Sequence, residues 1–249
     1  MSISERLHTR KIFKGIFEYF EGDRMYAQET FEVYKDTSLY DMFFISEMLG
    51  RTKTGEMLKT QVYYEINKNW TPTKVVVEKF LGPKSAKESY VFNNQNSSIT
   101  YEFKSKHLVN THTMNTGPKF HITTPTAATS MLFIQTKKFD TTSSNECAVI
   151  ACENQWRFRA EPVVKSVFLE RISLTAEALS LNKSVVQATH YKIHNARNTD
   201  FNKKKKRADD IEPLPPVDVY LSPHASIPYL IQSPEMKIQI KTLNNLEQE

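Results

Sequence analysis

The sequence predicts an all-β fold with a minor α component, in which a large curved antiparallel meander forms a barrel or half-barrel. Apolar and polar residues alternate with a period of two in many short runs, as in strands that bury one face. Gly, Asn and Pro separate most of these runs, and almost no segment has a helical period. Short sequential strands joined by tight turns are typical of a meander.

The predicted strands cover 11–20, 26–35, 39–48, 59–67, 74–81, 87–92, 99–103, 147–152, 156–159, 163–174, 185–194, 217–221 and 236–240. Gly22, Gly55 and Gly82 lie between consecutive runs, and glycine tolerates the positive φ that hairpin turns require. The run 147–152 is apolar at every position, which predicts a strand buried on both faces. Its two cysteines point to opposite faces, so we expect two small buried side chains without a disulfide.

One segment departs from the period of two and predicts a short helix near 124–136. Thr124 suits the N-cap, Pro125 suits the first helical position, and alanines and an apolar stripe follow. Because this helix interrupts the series of strands, we expect it to cross or plug the open side of the sheet.

The whole chain, 1–249, is predicted to form a single domain with one exposed insertion loop at 195–216. That loop combines a basic run at 203–207, an acidic stretch and a proline cluster, which cannot bury enough apolar surface to order itself. Most of the formal net charge of +5 comes from the basic run. We expect no nucleic-acid partner, because acidic residues follow at once and no aromatic residues are interleaved for base stacking.

The sequence also predicts a cytoplasmic protein without a transmembrane segment. Residues 1–11 contain no apolar stretch of the kind that a secretory signal needs. No stretch approaches the roughly 18 apolar residues of a membrane-spanning helix.

Motifs for nucleophilic catalysis, phosphate binding and metal binding are missing from the sequence. It contains no Gly-x-Ser-x-Gly, no Gly-rich phosphate loop and no His-Glu-x-x-His. We therefore predict no cofactor and no metal. Scattered residues inside a barrel could still transfer protons, and the candidates for that role are His121, His190 and Tyr191.

The aromatic content, with 15 Phe, 11 Tyr and 2 Trp, has two interpretations. These side chains fill the core of a small closed barrel, or they line the cavity of a wider one. The candidate ligand contacts are Tyr101, Phe103, Trp156, Phe158, Tyr191 and Tyr229.

The end of the chain carries a resemblance to a known architecture. Residues 187–193 (Gln-Ala-Thr-His-Tyr-Lys-Ile), 217–221 (Val-Asp-Val-Tyr-Leu) and 227–231 (Ile-Pro-Tyr-Leu-Ile), with the helix near 124–136, resemble uncharacterised bacterial half-barrel proteins of the lipoprotein-carrier (LolA-like) type. The resemblance implies a hydrophobic cavity with a lipid or hydrophobic ligand. A violacein-pathway enzyme shares this architecture, so the resemblance is also compatible with catalysis. The charged insertion and the missing signal peptide depart from the carriers.

Three functions stay open at this point. The first is binding of a hydrophobic small molecule or lipid in the concavity of the sheet. The alternative is a cofactor-independent enzyme that acts on a hydrophobic or aromatic intermediate. The third is a scaffold that contacts polyanions through the 203–207 run, and the sequence leaves the oligomeric state undetermined.

Overall fold

The computed structural model describes residues 8–117, 119–136, 144–181, 184–195, 215–223 and 227–247. Their strands form one large sheet, and the pairing is antiparallel except for a short parallel contact. The predicted all-β fold with one short helical segment is confirmed.

The strands are β1 (Thr9–Glu21), β2 (Arg24–Asp36), β3 (Met42–Arg51), β4 (Met57–Ile66), β5 (Pro72–Leu81), β6 (Lys84–Asn93), β7 (Ser98–Ser105), β8 (Leu108–Asn115), β9 (His121–Ile122), β10 (Ser144–Ala151), β11 (Val163–Arg171), β12 (Glu177–Leu181), β13 (Ser184–Asn195), β14 (Val217–Leu221), β15 (Pro228–Gln232) and β16 (Lys237–Asn245). The helical pieces are α1 (Ala127–Ser130) and a 3-10 helix (Leu132–Thr136).

The order of strands in the sheet is β8-β7-β6-β5-β4-β3-β2-β1-β16-β15-β14-β13-β11-β10-β9, with β12 paired to β13. The first eight strands therefore form a continuous meander, and β16 returns to pair with β1. Among the described strands β8 and β9 stand at the two ends of this order, so the sheet curves around its core without closing.

One face of the sheet carries the core, and we call it the inner face. Along β4, Thr60, Val62, Tyr64 and Ile66 are buried, whereas the residues between them are partly exposed. The buried apolar side chains form one cluster with members from β1 to β7 and from most of the later strands. The sheet therefore wraps around one shared core.

At Gly15 on β1, atoms of two neighbouring strands approach the backbone closely. A Cβ atom at Gly15 would lie 2.5 Å from the carbonyl oxygen of Thr242 and 2.6 Å from the ring of Phe31. The pairing of β1 with β16 also shifts register between Ile16 and Phe17. Glycine therefore lets the neighbouring strand and the aromatic ring pack directly on β1 at this bulge.

Two segments that are not part of the long strands pack against the inner face of the sheet. Residues 120–136, the first crossing segment, contain β9, α1 and the 3-10 helix, and bury Leu132 and Phe133. Residues 152–162, the second crossing segment, connect β10 to β11 and pack Trp156 against the core. The predicted helix near 124–136 thus lies across the inner face, although its N-cap is Thr126 instead of Thr124.

The turns at one end of the sheet contain glycines with positive φ. The connections 22–23, 52–56 and 82–83 lie at one end, where Gly22, Gly55 and Gly82 have φ values of 60°, 87° and 54°. We call this the glycine end. The second crossing segment lies at the same end, because Ala151 and Val163 pair there.

Several predicted element boundaries were wrong. Residues 156–159 do not form a strand, because their alternating aromatic residues pack on the core without a neighbouring strand. β3 begins at Met42 instead of residue 39, because the Asp36 carboxylate accepts backbone hydrogen bonds from Ser38 and Leu39 and closes a turn. β8 and β12 were not predicted, since their exposed positions lack a clear apolar alternation.

The insertion loop predicted at 195–216 lies mostly outside the described residues, as does the basic run at 203–207. Both the loop and its proposed role therefore stay predictions. Cys147 and Cys152 are not joined in a disulfide, as their spacing in the sequence predicts. Cys147 is buried, but Cys152 is only partly buried.

Candidate ligand-binding site

Four of the six predicted ligand contacts lie at or near the second crossing segment. Tyr101 and Phe103 on β7 are completely buried, and Trp156 and Phe158 of that segment are partly buried against the core. The ring centroids of Phe103 and Phe158 are 6.1 Å apart. A ligand could reach Tyr101 and Phe103 only if the second crossing segment moved, so their role as ligand contacts stays a prediction.

The other two predicted contacts lie in the second half of the sheet. Tyr191 on β13 is buried on the inner face, and Tyr229 on β15 is partly buried against the core. Burial raises the pKa of the Tyr191 hydroxyl, so this hydroxyl is a poor proton acceptor at neutral pH.

The three candidates for proton transfer do not form one site. His121 on β9 is buried, and its ring centroid lies 5.6 Å from that of Phe133. His190 stacks on Tyr220, and its Nε2 lies 2.8 Å from Asp218 Oδ1. Tyr191 is the next residue on the same strand and points to the opposite face. β9 is separated from β13 by β10 and β11 in the sheet.

Glu29 on β2 is a completely buried carboxylate on the inner face. It accepts hydrogen bonds from the Tyr19 hydroxyl, from the backbone N–H of Ala127 at 2.7 Å and from that of Ala128 at 3.2 Å. The Tyr19 hydroxyl also accepts a hydrogen bond from Ala127 at 2.9 Å. Because the first N–H groups of a helix have no partner within it, Glu29 fastens the start of α1 to the sheet.

The charge of Glu29 changes near neutral pH. Burial raises the pKa of Glu29 to about 7, although the hydrogen bonds from Tyr19, Ala127 and Ala128 act in the opposite direction. Desolvation penalises the charged form of a carboxyl group, and donated hydrogen bonds favour it. Burial also raises the pKa of Tyr19 well above its ordinary value, so the tyrosine stays the proton donor of the pair.

Glu88 on β6 is another buried carboxylate, and it lies on the inner face. Its Oε1 lies 3.0 Å from Lys79 Nζ, and the Tyr101 hydroxyl donates to its Oε2 at 3.2 Å. Asn154 of the second crossing segment donates from Nδ2 to the Tyr101 hydroxyl at 2.9 Å. The backbone carbonyl of Asn154 accepts a hydrogen bond from Lys79 Nζ at 3.0 Å. This network fastens the second crossing segment to β5, β6 and β7.

Cys152 borders this network without the features of a catalytic thiol. Its Sγ lies 3.3 Å from the Tyr101 hydroxyl. Burial raises the pKa of the Cys152 thiol, which works against the thiolate that a nucleophile requires. Across the described residues, no three His, Cys, Asp or Glu side chains are grouped so that they could hold a metal ion.

A pocket of about 360 Å³ lies at the glycine end of the sheet. Its lining consists of Glu21, Arg24, Tyr26, Arg51, Thr52, Lys53, Glu235 and Met236. Tyr26 and Met236 pack against the core and form the apolar part of the pocket. The ring of Tyr26 meets that of Tyr19 edge to face, with centroids 6.0 Å apart. The pocket therefore lies next to the contact between Tyr19 and Glu29.

Three cations and two carboxylates line this pocket, so its side chains carry a formal charge of +1. Arg24, Arg51 and Lys53 are exposed, as are Glu21 and Glu235. No ion pair joins any of the three cations to another residue in the part of the chain that the structure describes. A guanidinium in this state can bind a carboxylate or sulfonate through two parallel hydrogen bonds.

A second pocket, of about 400 Å³, lies beside Gly15 on the outer face. Two carboxylates line it, Glu32 and Glu47. Glu32 pairs with Lys11 at 2.5 Å, and Glu47 pairs with Lys59 at 2.8 Å. Because these carboxylates are already paired, this pocket offers a ligand fewer free charged groups than the pocket at the glycine end.

Neither Glu29 nor Glu88 is marked by a motif, but the strand pattern contains a signal for both. Glu29 occupies the same alternate positions of β2 as Phe31 and Val33, which are buried. Glu88 likewise occupies the same alternate positions of β6 as Tyr90, which is buried. A carboxylate at a core position of a strand needs partners, and it can be recognised once the register of alternation is known.

No protein-family model and no curated protein matches the chain. Among solved structures it is similar to a β-barrel-like protein of domain of unknown function DUF1849 from Brucella abortus, with a TM-score of 0.57 and 9% sequence identity, over 94% of this chain and 98% of that chain. It is also similar to a DUF1089 family protein from Pseudomonas aeruginosa, with a TM-score of 0.49 and 8% identity, over 83% of this chain and 89% of that chain. The first similarity shows a β-barrel-like fold, and the predicted likeness to lipoprotein carriers stays a prediction.

Within the described ranges, none of the helices has the length and apolar character that crossing a membrane would require. The predicted cytoplasmic location stays a prediction.

Proposed function

We propose that the protein binds an amphipathic organic anion in the pocket at the glycine end of the sheet. The ligand class is a small molecule with a hydrophobic body and one acidic group, of which a fatty acid or an aromatic sulfonate is an example. The observation that carries the proposal is that Tyr26 and Met236 share one volume of about 360 Å³ with Arg24, Arg51 and Lys53.

The size and chemistry of the pocket fit this class. Ligand pockets in proteins range from about 300 to about 1,000 Å³ and combine an apolar lining with few polar groups. The Tyr26 ring and the Met236 thioether offer contact to an apolar body. The exposed guanidinium groups of Arg24 and Arg51 suit a planar anionic group.

The ligand class is the one predicted from the sequence, a hydrophobic small molecule or lipid, but the site is a different one. The aromatic residues Tyr101 and Phe103 are packed beneath the second crossing segment, whereas Tyr26 lies at an opening. The alternative function, a cofactor-independent enzyme, has less support, because His121, His190 and Tyr191 do not share a site.

A pair of fluorescent dyes tests the proposal. Anilinonaphthalene sulfonate carries an anionic group on an aromatic body, and phenylnaphthylamine has the same rings without it. We expect the sulfonate to bind with a dissociation constant on the order of tens of micromolar, since ligands of this size gain roughly 0.3 kcal/mol per heavy atom. Phenylnaphthylamine is expected to bind about fivefold more weakly, since it cannot use the cations.

Three variants locate the site. In Arg24→Gln/Arg51→Gln the sulfonate should lose most of its advantage and bind up to about fivefold more weakly, with phenylnaphthylamine unaffected. Tyr26→Ala should weaken both dyes. Lys68→Gln, which removes an exposed cation at the opposite end of the sheet, serves as the matched control and should change neither. Equal binding of both dyes, or unchanged sulfonate binding in the double variant, would refute the proposal.

A further inference from the structure

β8 is an edge strand. It pairs with β7 from Leu108 opposite Ser105 to Asn115 opposite Ser98, and none of the described strands pairs with its other side. A strand in this position presents a row of unpaired backbone N–H and C=O groups. Leu108 and Val109 are 41% and 55% exposed, so this edge is open to solvent.

β8 lacks the features that usually protect an edge from pairing. Its sequence, Leu-Val-Asn-Thr-His-Thr-Met-Asn, contains no Lys, Arg, Asp, Glu or Pro. Its register with β7 runs without a shift, so no bulge bends the strand away. The other end of the sheet is different, because β9 has only two residues and both are buried. β8 is therefore suited to pair with a further strand.

We propose that β8 pairs antiparallel with β8 of a second copy of this chain, in a register centred on Thr111. A twofold axis perpendicular to the sheet relates the two copies and joins their sheets edge to edge. The facing residues in this register are Leu108 and Met114, Val109 and Thr113, Asn110 and His112, and Thr111 with its own copy.

The strand is complementary to itself in this register. Leu108 and Met114 make an apolar pair. His112 Nδ1 lies 3.1 Å from Glu161 Oε1 of its own chain, which leaves its Nε2 to accept a hydrogen bond from Asn110 of the second copy. Two threonines at the centre also form a favourable cross-strand pair. Because 108–114 contains no Lys, Arg, Asp or Glu, no like charges of these residues repel across the contact. A register centred on His112 would lose the apolar pair and place two imidazoles face to face.

The expected association is weak. A single strand pair buries less surface than the roughly 1,200–2,000 Å² of a stable protein interface. Dimers should therefore form only at high protein concentration.

Sedimentation velocity of the full chain tests the pairing. Between about 5 µM and about 500 µM, the apparent mass should rise from that of the monomer, 28.9 kDa, toward twice that value. A monomer throughout this range would overturn the proposal, and the edge would then be available to an extended peptide of another protein.

Charge substitutions at the centre of the register make the test specific. Thr111→Lys places two lysines opposite each other and should weaken association about tenfold. Thr111 faces Glu102 of β7 on the outer face, so a lysine there has a partner within its own chain. Thr100→Lys is the matched control, because Thr100 is exposed on the same face one strand away from the edge.

A mixing experiment distinguishes pairing through β8 from other dimers. Thr111→Lys mixed with Thr111→Glu should associate more tightly than Thr111→Lys alone, because the facing charges are then opposite. Full recovery is not expected, because Glu102 lies opposite position 111 and repels the glutamate of Thr111→Glu within its own chain. The proposal fails if Thr111→Lys associates like the unsubstituted chain, if Thr100→Lys disrupts association equally, or if the mixture gives no recovery.

Discussion

A tyrosine and a glutamate attach each of the two crossing segments to the sheet, but the charges around the two glutamates differ. Tyr19 and Glu29 hold the first segment, and Tyr101 and Glu88 hold the second. In both places a buried tyrosine hydroxyl donates to a buried carboxylate and accepts a hydrogen bond from the segment. Only Glu88 has a cation beside it, Lys79 at 3.0 Å, while the donors at Glu29 are neutral.

This difference shows two ways of placing a carboxylate in a protein core. A counter-charge makes an ion pair, which is costly to break because the remaining partner stays buried. Neutral N–H and O–H donors leave the carboxyl group able to take up a proton near pH 7, as at Glu29. We therefore expect attachment of the first segment, but not the ion pair of the second, to depend on the protonation of Glu29.

The largest expected effect comes from breaking the ion pair. Glu88→Gln leaves Lys79, whose side chain is 18% exposed, without its counter-charge, and should lower the free energy of unfolding by about 3 kcal/mol. Urea denaturation measures this loss. Adding Lys79→Met should recover at least half of it, because the unpaired charge is then removed as well.

The same two strands provide a control for that ion pair. Glu78 and Lys87 face each other at 2.6 Å on β5 and β6, but their side chains are 33% and 45% exposed. Glu78→Gln should therefore cost less than about 1 kcal/mol. Equal losses for Glu78→Gln and Glu88→Gln would show that burial of the pair is unimportant.

The next effect is the pH dependence contributed by Glu29. Because the folded protein raises the pKa of Glu29 from 4.5 to about 7, the folded state binds this proton more tightly. The stabilisation that the protonated Glu29 gives to the folded state is fully present below its ordinary pKa of 4.5. It is lost as the pH rises through about 7. Between about pH 5 and pH 8 the loss should be about 2 kcal/mol.

Glu29→Gln should remove this part of the pH dependence. Urea denaturation at several pH values would show a flatter stability profile for the variant, whatever its absolute stability. Glu18→Gln, on the glutamate that pairs with Lys241 at 2.7 Å, is a control in which the part of the slope due to Glu29 should persist. A slope unchanged by Glu29→Gln would mean that Glu29 does not titrate near neutral pH.

The smallest expected effect concerns one hydrogen bond to that carboxylate. The Tyr19 hydroxyl lowers the pKa of Glu29 by donating to it, so Tyr19→Phe should move that pKa upward. It should also cost about 1 kcal/mol of stability. Carbon NMR of the glutamate carboxyl during a pH titration measures the first change. A pKa that stays in place, or falls, would argue against the hydrogen bond.

The alternation of residues determined most of the first half of the fold. The runs 11–20, 26–35, 59–67 and 74–81 each lie within an observed strand or overlap most of one, because a period of two can bury a single face only in a strand. The glycines at 22, 55 and 82 likewise marked turns, since all three have positive φ. Local chemistry decides such features, so they are visible in the sequence.

Tertiary structure alone decided which polar residues meet. Glu29 and Ala127 are 98 residues apart in sequence, and Lys79 and Asn154 are 75 apart. Their contacts exist because the sheet curves and brings both crossing segments onto its inner face. The pocket at the glycine end arises in the same way, where the turns at 22–23, 52–56 and 233–236 converge. No local pattern encodes such distances, because they follow from the curvature of the whole sheet.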